Sequence, residues 1–197
     1  ILEAKKVLVT EMGGSMLTIA KDVKLQIEFN PMMVSSYRLI GYNNRRLANR
    51  DFNDDKKDAG ELGAGHSVTA FYEIIPASGE NTKSDTDKLR YQEVSPSDAA
   101  NESGEMFTVK LRYKNPRGKK SKLISQRALF DEAIEPSENL LFASSVVEFG
   151  LLLRNSKHKE AASYQAVLSR AQDALGEDNH GYRDEFIKLV KTAELLQ

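Results

Sequence analysis

Hydrophobic residues recur along this chain with two different rhythms, and the change between them predicts its organisation. From Asp22, Val23, Leu25, Ile27 and Phe29 alternate with Lys24, Gln26 and Glu28. Successive side chains of a strand point to opposite faces, so this spacing predicts a half-buried strand with one wet face, ended by Asn30-Pro31. Tyr37, Leu39, Ile40 and Tyr42 predict a second strand, closing near Gly41–Asn44. The clearest hairpin is Met106–Lys114, a turn at Asn115-Pro116-Arg117-Gly118, and a return strand over 121–130. Proline presets φ in that turn and glycine closes it. Between these lies Asp51–Pro76, where an acidic, glycine-punctuated loop leads into a strand over about 66–75. That strand is apolar on both faces, which predicts a central position in a sheet. Residues 77–104 read as a long surface loop, interrupted by a short strand at Leu89–Val94.

After Pro136 the period lengthens to three or four. Ser137 is a candidate N-cap for a helix to about Arg154, with Leu140, Leu141, Ser144, Val147 and Leu151 on one face. A second helix spans about 163–175, with Tyr164, Val167, Leu168, Ala171 and Leu175 inward and Gly176 as its stop. A third spans about 182–196, carrying Phe186, Leu189, Val190 and Ala193. Residues 1–12 also show helical spacing at Ala4, Val7, Leu8 and Met12. Strands followed by helices predict an α+β fold. Its antiparallel sheet or sandwich region occupies 15–134, and a three-helix C-terminal subdomain at 135–197 packs on it.

Composition adds mainly exclusions. The 197 residues carry a net charge of -1, so no global field draws the chain to nucleic acid or an anionic membrane. Cysteine is absent, which removes disulfides, thiolate metal sites and cysteine nucleophiles. No apolar run approaches the ~20 residues needed to span a bilayer as a helix, so no direct membrane insertion by these residues is expected.

Candidate chemistry is thin. Asp51, Asn53, Asp55 and Glu61 resemble the start of a calcium loop. An EF-hand loop needs glycine at its sixth position and glutamate at its twelfth; counted from Asp51, these are Lys56 and Leu62. A solvated acidic turn is the plainer reading, and the same holds for Asp85-Thr86-Asp87. His66, His158 and His180 share no metal-ligand spacing. Gly60, Gly63 and Gly65 mimic a phosphate loop, but a strand follows where a helix is required, so a tight turn or bulge explains them. Arg112, Lys114, Arg117, Lys119, Lys120 and Lys122 surround the hairpin turn with only Tyr113 as a stacking platform. Nucleic-acid binding is therefore not expected. No spacing marks a nucleophile or a paired acid and base, so neither catalytic residues nor a cofactor is assigned.

Several runs together carry a family resemblance. They are TIAKDVKLQIEFNP (18–31), YRLIGYNNRRL (37–47), DFNDDKKDAGELGAGHSVTAFYEI (51–74), LRYK (111–114) and GYRDEFIKLVKTA (181–193). They resemble the C-terminal region of bacterial von Willebrand factor type A domain-containing proteins. The resemblance implies that residues 1–14 are the remnant of the last helix of a preceding type A domain. It implies a β-rich region and a helical tail without assigned activity, and a place in the cell envelope, often by a lipid anchor. The type A adhesion motif, Asp-x-Ser-x-Ser, does not occur in these residues, so none of its metal ligands carries over. A non-enzymatic accessory domain is implied, one that positions the adhesion domain or docks a protein partner. The alternative is a calcium-stabilised binding module built on the 51–61 loop. The resemblance further implies that residues ahead of the type A domain add strands to this β region, which would leave a free sheet edge here.

Overall fold

The structure is a computed structural model that describes residue 6 and residues 17–42, 47–77, 96–131 and 133–196. Outside the described residues lie most of the predicted first helix, the predicted strand at Leu89–Val94, Asp85, Asp87, Arg45 and Arg46. The fold is α+β, with antiparallel sheets followed by a helical region. The chain divides into two compact units, one holding residues 13–131 and the other residues 1–12 and 132–197.

In the first unit, β1 (Thr18–Phe29), β2 (Val34–Ile40), β3 (Gly60–Gly63), β4 (Phe71–Pro76), β5 (Glu105–Lys114) and β6 (Ser121–Leu129) form two sheets. One has the order β3-β1-β5-β6, and the other pairs β2 with β4. The apolar face of the larger sheet follows from register: Leu25 opposes Leu111, Ile27 opposes Val109 and Phe29 opposes Phe107. Phe29 reaches the smaller sheet, its ring centroid 4.3 Å from that of Tyr37 and 5.5 Å from that of Tyr72. Cross-strand and cross-sheet aromatic contacts of this kind contribute beyond their buried area.

Asn30 fixes the turn that separates the sheets. Its side-chain amide donates to the carbonyls of Ala100 (2.9 Å) and Glu105 (2.7 Å), and its Oδ1 accepts from the Met32 amide at 2.9 Å. Ala100 belongs to a short helix, α1 (Asp98–Glu102), within the stretch expected to be loop.

Three expectations change here. The strand expected over 66–75 begins only at Phe71. Residues 66–70 carry no regular structure, and Val68 is 71% exposed. Instead of a central strand, β4 pairs only with β2 among the described residues. The glycine-rich run expected to be loop supplies β3, an edge strand on the first half of β1 with two irregularities in register. Gly65, with φ of +76°, makes the tight turn after it. Propensity favoured the β-branched and aromatic run, but a strand exists only where a neighbour completes its ladder.

The second unit contains α2 (Glu138–Leu153), α3 (Tyr164–Asp173) and α4 (Tyr182–Leu195). Ser137 and Ser163 cap α2 and α3, their hydroxyls accepting from the amides of Leu140 at 3.2 Å and Ala166 at 3.1 Å. Phe149, Tyr164, Val167, Leu168, Ala171, Ile187 and Val190 form the core. Phe149 meets Tyr164 and Phe186 edge-on at 6.0 and 5.6 Å. The stripe expected on α2 is rotated: Phe142, Ser145, Phe149 and Leu152 face inward, while Leu140 is 48% exposed. This helix is apolar on most sides, so its sequence period is weak, and the two phenylalanines decide its orientation by filling the largest volume. On α4, Ile187 is buried where Leu189 was expected, and Leu189 is 56% exposed.

Candidate functional site

The acidic loop closes over two buried lysines. Lys24 is 4% exposed and Lys114 is 8% exposed, although β1 patterning put Lys24 on the wet face. A buried ammonium needs oxygens around it, because leaving water costs several kcal/mol per ion. The loop provides them. Lys24 Nζ donates to the carbonyls of Asp51 (3.1 Å) and Asp54. Lys114 Nζ donates to Asp22 Oδ2 and to the carbonyl of Asp55, each at 2.7 Å. Asp22 sits in the left-handed region with φ of 51°, within the bulge where β1 changes register against β5 between Lys21 and Lys24. A bulge re-aims a side chain, and here it accompanies a carboxylate turned onto Lys114.

Side chains complete the closure. Ser121 donates its hydroxyl to Asp55 Oδ1 at 2.6 Å and accepts from Arg112 Nε at 2.9 Å. Arg112 lies 3.7 Å from Asp55 Oδ1 and donates to Asn53 Oδ1 at 3.3 Å. Phe52 plugs the loop from within, 5% exposed. The hydrogen bond from Lys114 holds the Asp22 carboxyl below the usual range, against the opposing push of burial. The Ser121 hydroxyl, helped by Arg112 and Lys114, does the same for Asp55.

These contacts place the predicted site residues. Asp51, Asn53 and Asp55 are brought together, but their oxygens point at lysine and arginine nitrogens. Glu61 lies apart on β3, where it accepts from Thr18 Oγ1 at 3.1 Å. Among the described residues, no group of three or more His, Asp or Glu side chains is arranged to hold a metal ion. Of the basic residues around the hairpin turn, Arg112 and Lys114 turn inward to the loop, while Arg117, Lys119, Lys120 and Lys122 stay at the rim. The histidines are dispersed: His66 follows the Gly65 turn, His158 lies beyond α2, and His180 packs its ring 5.5 Å from Tyr182. Sequence reasoning missed Lys24 and Asp22. Alternation assigned Lys24 to solvent, and no local signal shows that a loop about thirty residues later supplies its acceptors.

Beside the loop, an open cleft of ≈1010 Å³ is lined by Leu25 and Ile27 of β1, Tyr37 and Leu39 of β2, Tyr72 of β4 and Phe52. Lys24, Gln26, Arg38, Asn49 and Asp58 also line it, with Lys24 bonded to loop carbonyls and Arg38 paired with Glu73.

No helix among the described residues is long and apolar enough to cross a membrane. The family profile described as "Uncharacterized protein YfbK, C-terminal" matches residues 14–196. A protein of Escherichia coli strain K12, "Uncharacterized protein YfbK", is 42% identical over 192 residues, which are 98% of this chain and 33% of that protein. The chain thus spans about a third of the length of the curated relative it matches. No solved structure matches it. With both matches running through the strands, the lysine-closed loop and the three helices, the chain belongs to the family of YfbK C-terminal domains.

Proposed function

We propose that this chain is a non-enzymatic docking module. It acts as an accessory domain of a von Willebrand factor type A protein in the bacterial cell envelope, where it positions the adhesion domain or holds a protein partner. One observation carries the reading: the described part of the β-rich unit buries few apolar side chains. Among its described apolar residues only Ala20, Val34 and Phe52 are buried, whereas the smaller helical unit buries eight. Leu25, Tyr37, Val68, Leu123, Ile124 and Leu129 are half exposed or more. Large apolar residues are exposed on the helical unit too, among them Leu153, Leu189 and Leu195, so the contrast between the units lies in how few apolar side chains the β-rich unit buries. The type A association and the envelope placement rest on the resemblance of the quoted runs.

The calcium-stabilised alternative draws no support from the loop, whose carbonyls already accept from ammonium groups. The test is affinity capture with the full-length protein and with a version lacking residues 14–196, the extent of the family match. Specific partners should be lost with the deletion. Retention of the same partners would refute a docking role for this region.

A further inference from the structure

The outer edge of β6 combines features that stabilised sheets usually avoid. It is the terminal strand of its sheet and pairs only with β5 among the described residues. Its register is unbroken from Ala128 opposite Phe107 to Ser121 opposite Lys114. No proline or glycine interrupts 121–130. Adjacent Leu123 and Ile124 point to opposite faces, yet are 54% and 52% exposed, so neither face of the strand is covered there. Every residue from Lys122 to Arg127 is exposed. A long, regular, uncovered edge is a template for another strand.

Charge indicates which strand. Residues 115–130 contain Arg117, Lys119, Lys120, Lys122 and Arg127 and no acidic residue. Arg127 reaches Glu105 at 3.3 Å while remaining 74% exposed, and the other four make no ion pair with a described residue. A second copy is disfavoured, because antiparallel pairing centred on Ile124 and Ser125 would set Lys122 against Arg127. Like charges directly opposite destabilise a sheet. Nucleic acid is disfavoured as well. An edge strand offers carbonyls alternating with amides, and phosphates can satisfy only the donors.

We propose that the β6 edge accepts an extended acidic segment of a partner protein as an added strand. Main-chain hydrogen bonds supply affinity, and carboxylates meeting Lys119, Lys120, Lys122 and Arg127 supply selectivity. This rests on the docking role proposed above and names its surface and the chemistry of its occupant.

The probe is a capped synthetic peptide of valine and threonine with glutamates on both faces of the extended strand, titrated into the 197-residue chain and followed by amide NMR. Saturable shifts and slowed exchange should appear at alternate residues of β6. Combined Lys119→Glu, Lys120→Glu and Lys122→Glu should weaken binding by roughly tenfold or more, with the effect shrinking at high salt. The same peptide with lysine for glutamate should not bind. In an antiparallel edge strand each residue aims both backbone groups either inward or outward. So one of Ser125→Pro and Gln126→Pro should melt like the parent and still abolish binding.

The proposal is overturned if the shifts fall elsewhere, or if the charge reversals leave affinity unchanged. It is overturned equally if a single-stranded oligonucleotide displaces the peptide, or if the chain dimerises through β6. Protection of the β6 amides in the full-length protein without peptide would assign the edge to another part of the same polypeptide and also overturn it. If β6 variants leave partner capture by the full-length protein intact while deletion of 14–196 abolishes it, the docking role stands and the β6 assignment fails.

Discussion

Replacing Lys24 with methionine tests the central structural reading most directly. Lys24→Met keeps the length and apolar stem of the side chain and removes only the charged tip. Two carbonyls, those of Asp51 and Asp54, lose a charged donor. Hydrogen bonds to charged groups contribute about 1.5–3 kcal/mol each, so the gross loss is roughly 3–6 kcal/mol. Two terms offset it. The variant no longer desolvates an ammonium, and the freed carbonyls lie in a loop whose residues 53–58 are exposed, so water can reach them. The net cost expected is about 2 kcal/mol, which for a unit of this size lowers its melting temperature by roughly 8 °C. The loss should be local first. Hydrogen exchange should accelerate at Phe52 and Lys57, whose amides bond the carbonyls of Asn49 and Asp54, before strand amides respond. Urea unfolding and amide exchange measure both parts. A variant within about 0.5 kcal/mol of the parent, with unchanged loop protection, would refute the idea that the lysine holds the loop shut.

The remaining predictions follow from the same contacts. Because the folded-state pKa of Asp22 and Asp55 lies below the unfolded value, their contribution is complete above about pH 4 and is lost as pH falls through the folded pKa. Urea midpoints measured across this range should therefore drop, and Asp22→Asn should flatten the dependence; an equally steep profile in that variant would contradict it. Calcium should leave the melting temperature of the chain unchanged, with and without chelator, since a ligand binding only the folded state must raise it; a saturable rise would restore the calcium reading. Ser163→Ala removes the acceptor for the Ala166 amide and should cost the helical unit about 1 kcal/mol, while Ser163→Asp should restore most of it, as followed by circular dichroism.

The legible parts of the fold are those encoded by neighbours in sequence. The 106–129 hairpin declares itself through alternation and an Asn-Pro-Arg-Gly turn, and β5 and β6 form where expected. Ser137 and Gly176 mark helix ends by local chemistry, through a hydroxyl cap and a left-handed glycine. The face of α3 was also legible, because its apolar stripe is narrow. That of α2 was not: where nearly every side is apolar, packing against Tyr164 and Phe186 selects the inward stripe.

Sequence by itself determined the α+β class, the switch of period near Pro136, the hairpin, the three C-terminal helices, the Ser137 cap and the lack of a recognisable catalytic motif. Each depends on residues a few positions apart, whose spacing directly sets which side of an element they occupy. Tertiary structure alone decided that Lys24 is buried, that Asp22 turns onto Lys114 and that the loop carbonyls are filled by ammonium groups. It also decided that Gly60–Gly63, rather than 66–70, joins a ladder, and that β6 has only β5 beside it among the described residues. Those outcomes depend on partners tens of residues away. An ammonium beside a carbonyl, or a strand beside its neighbour, is stabilised only once the chain has brought them together.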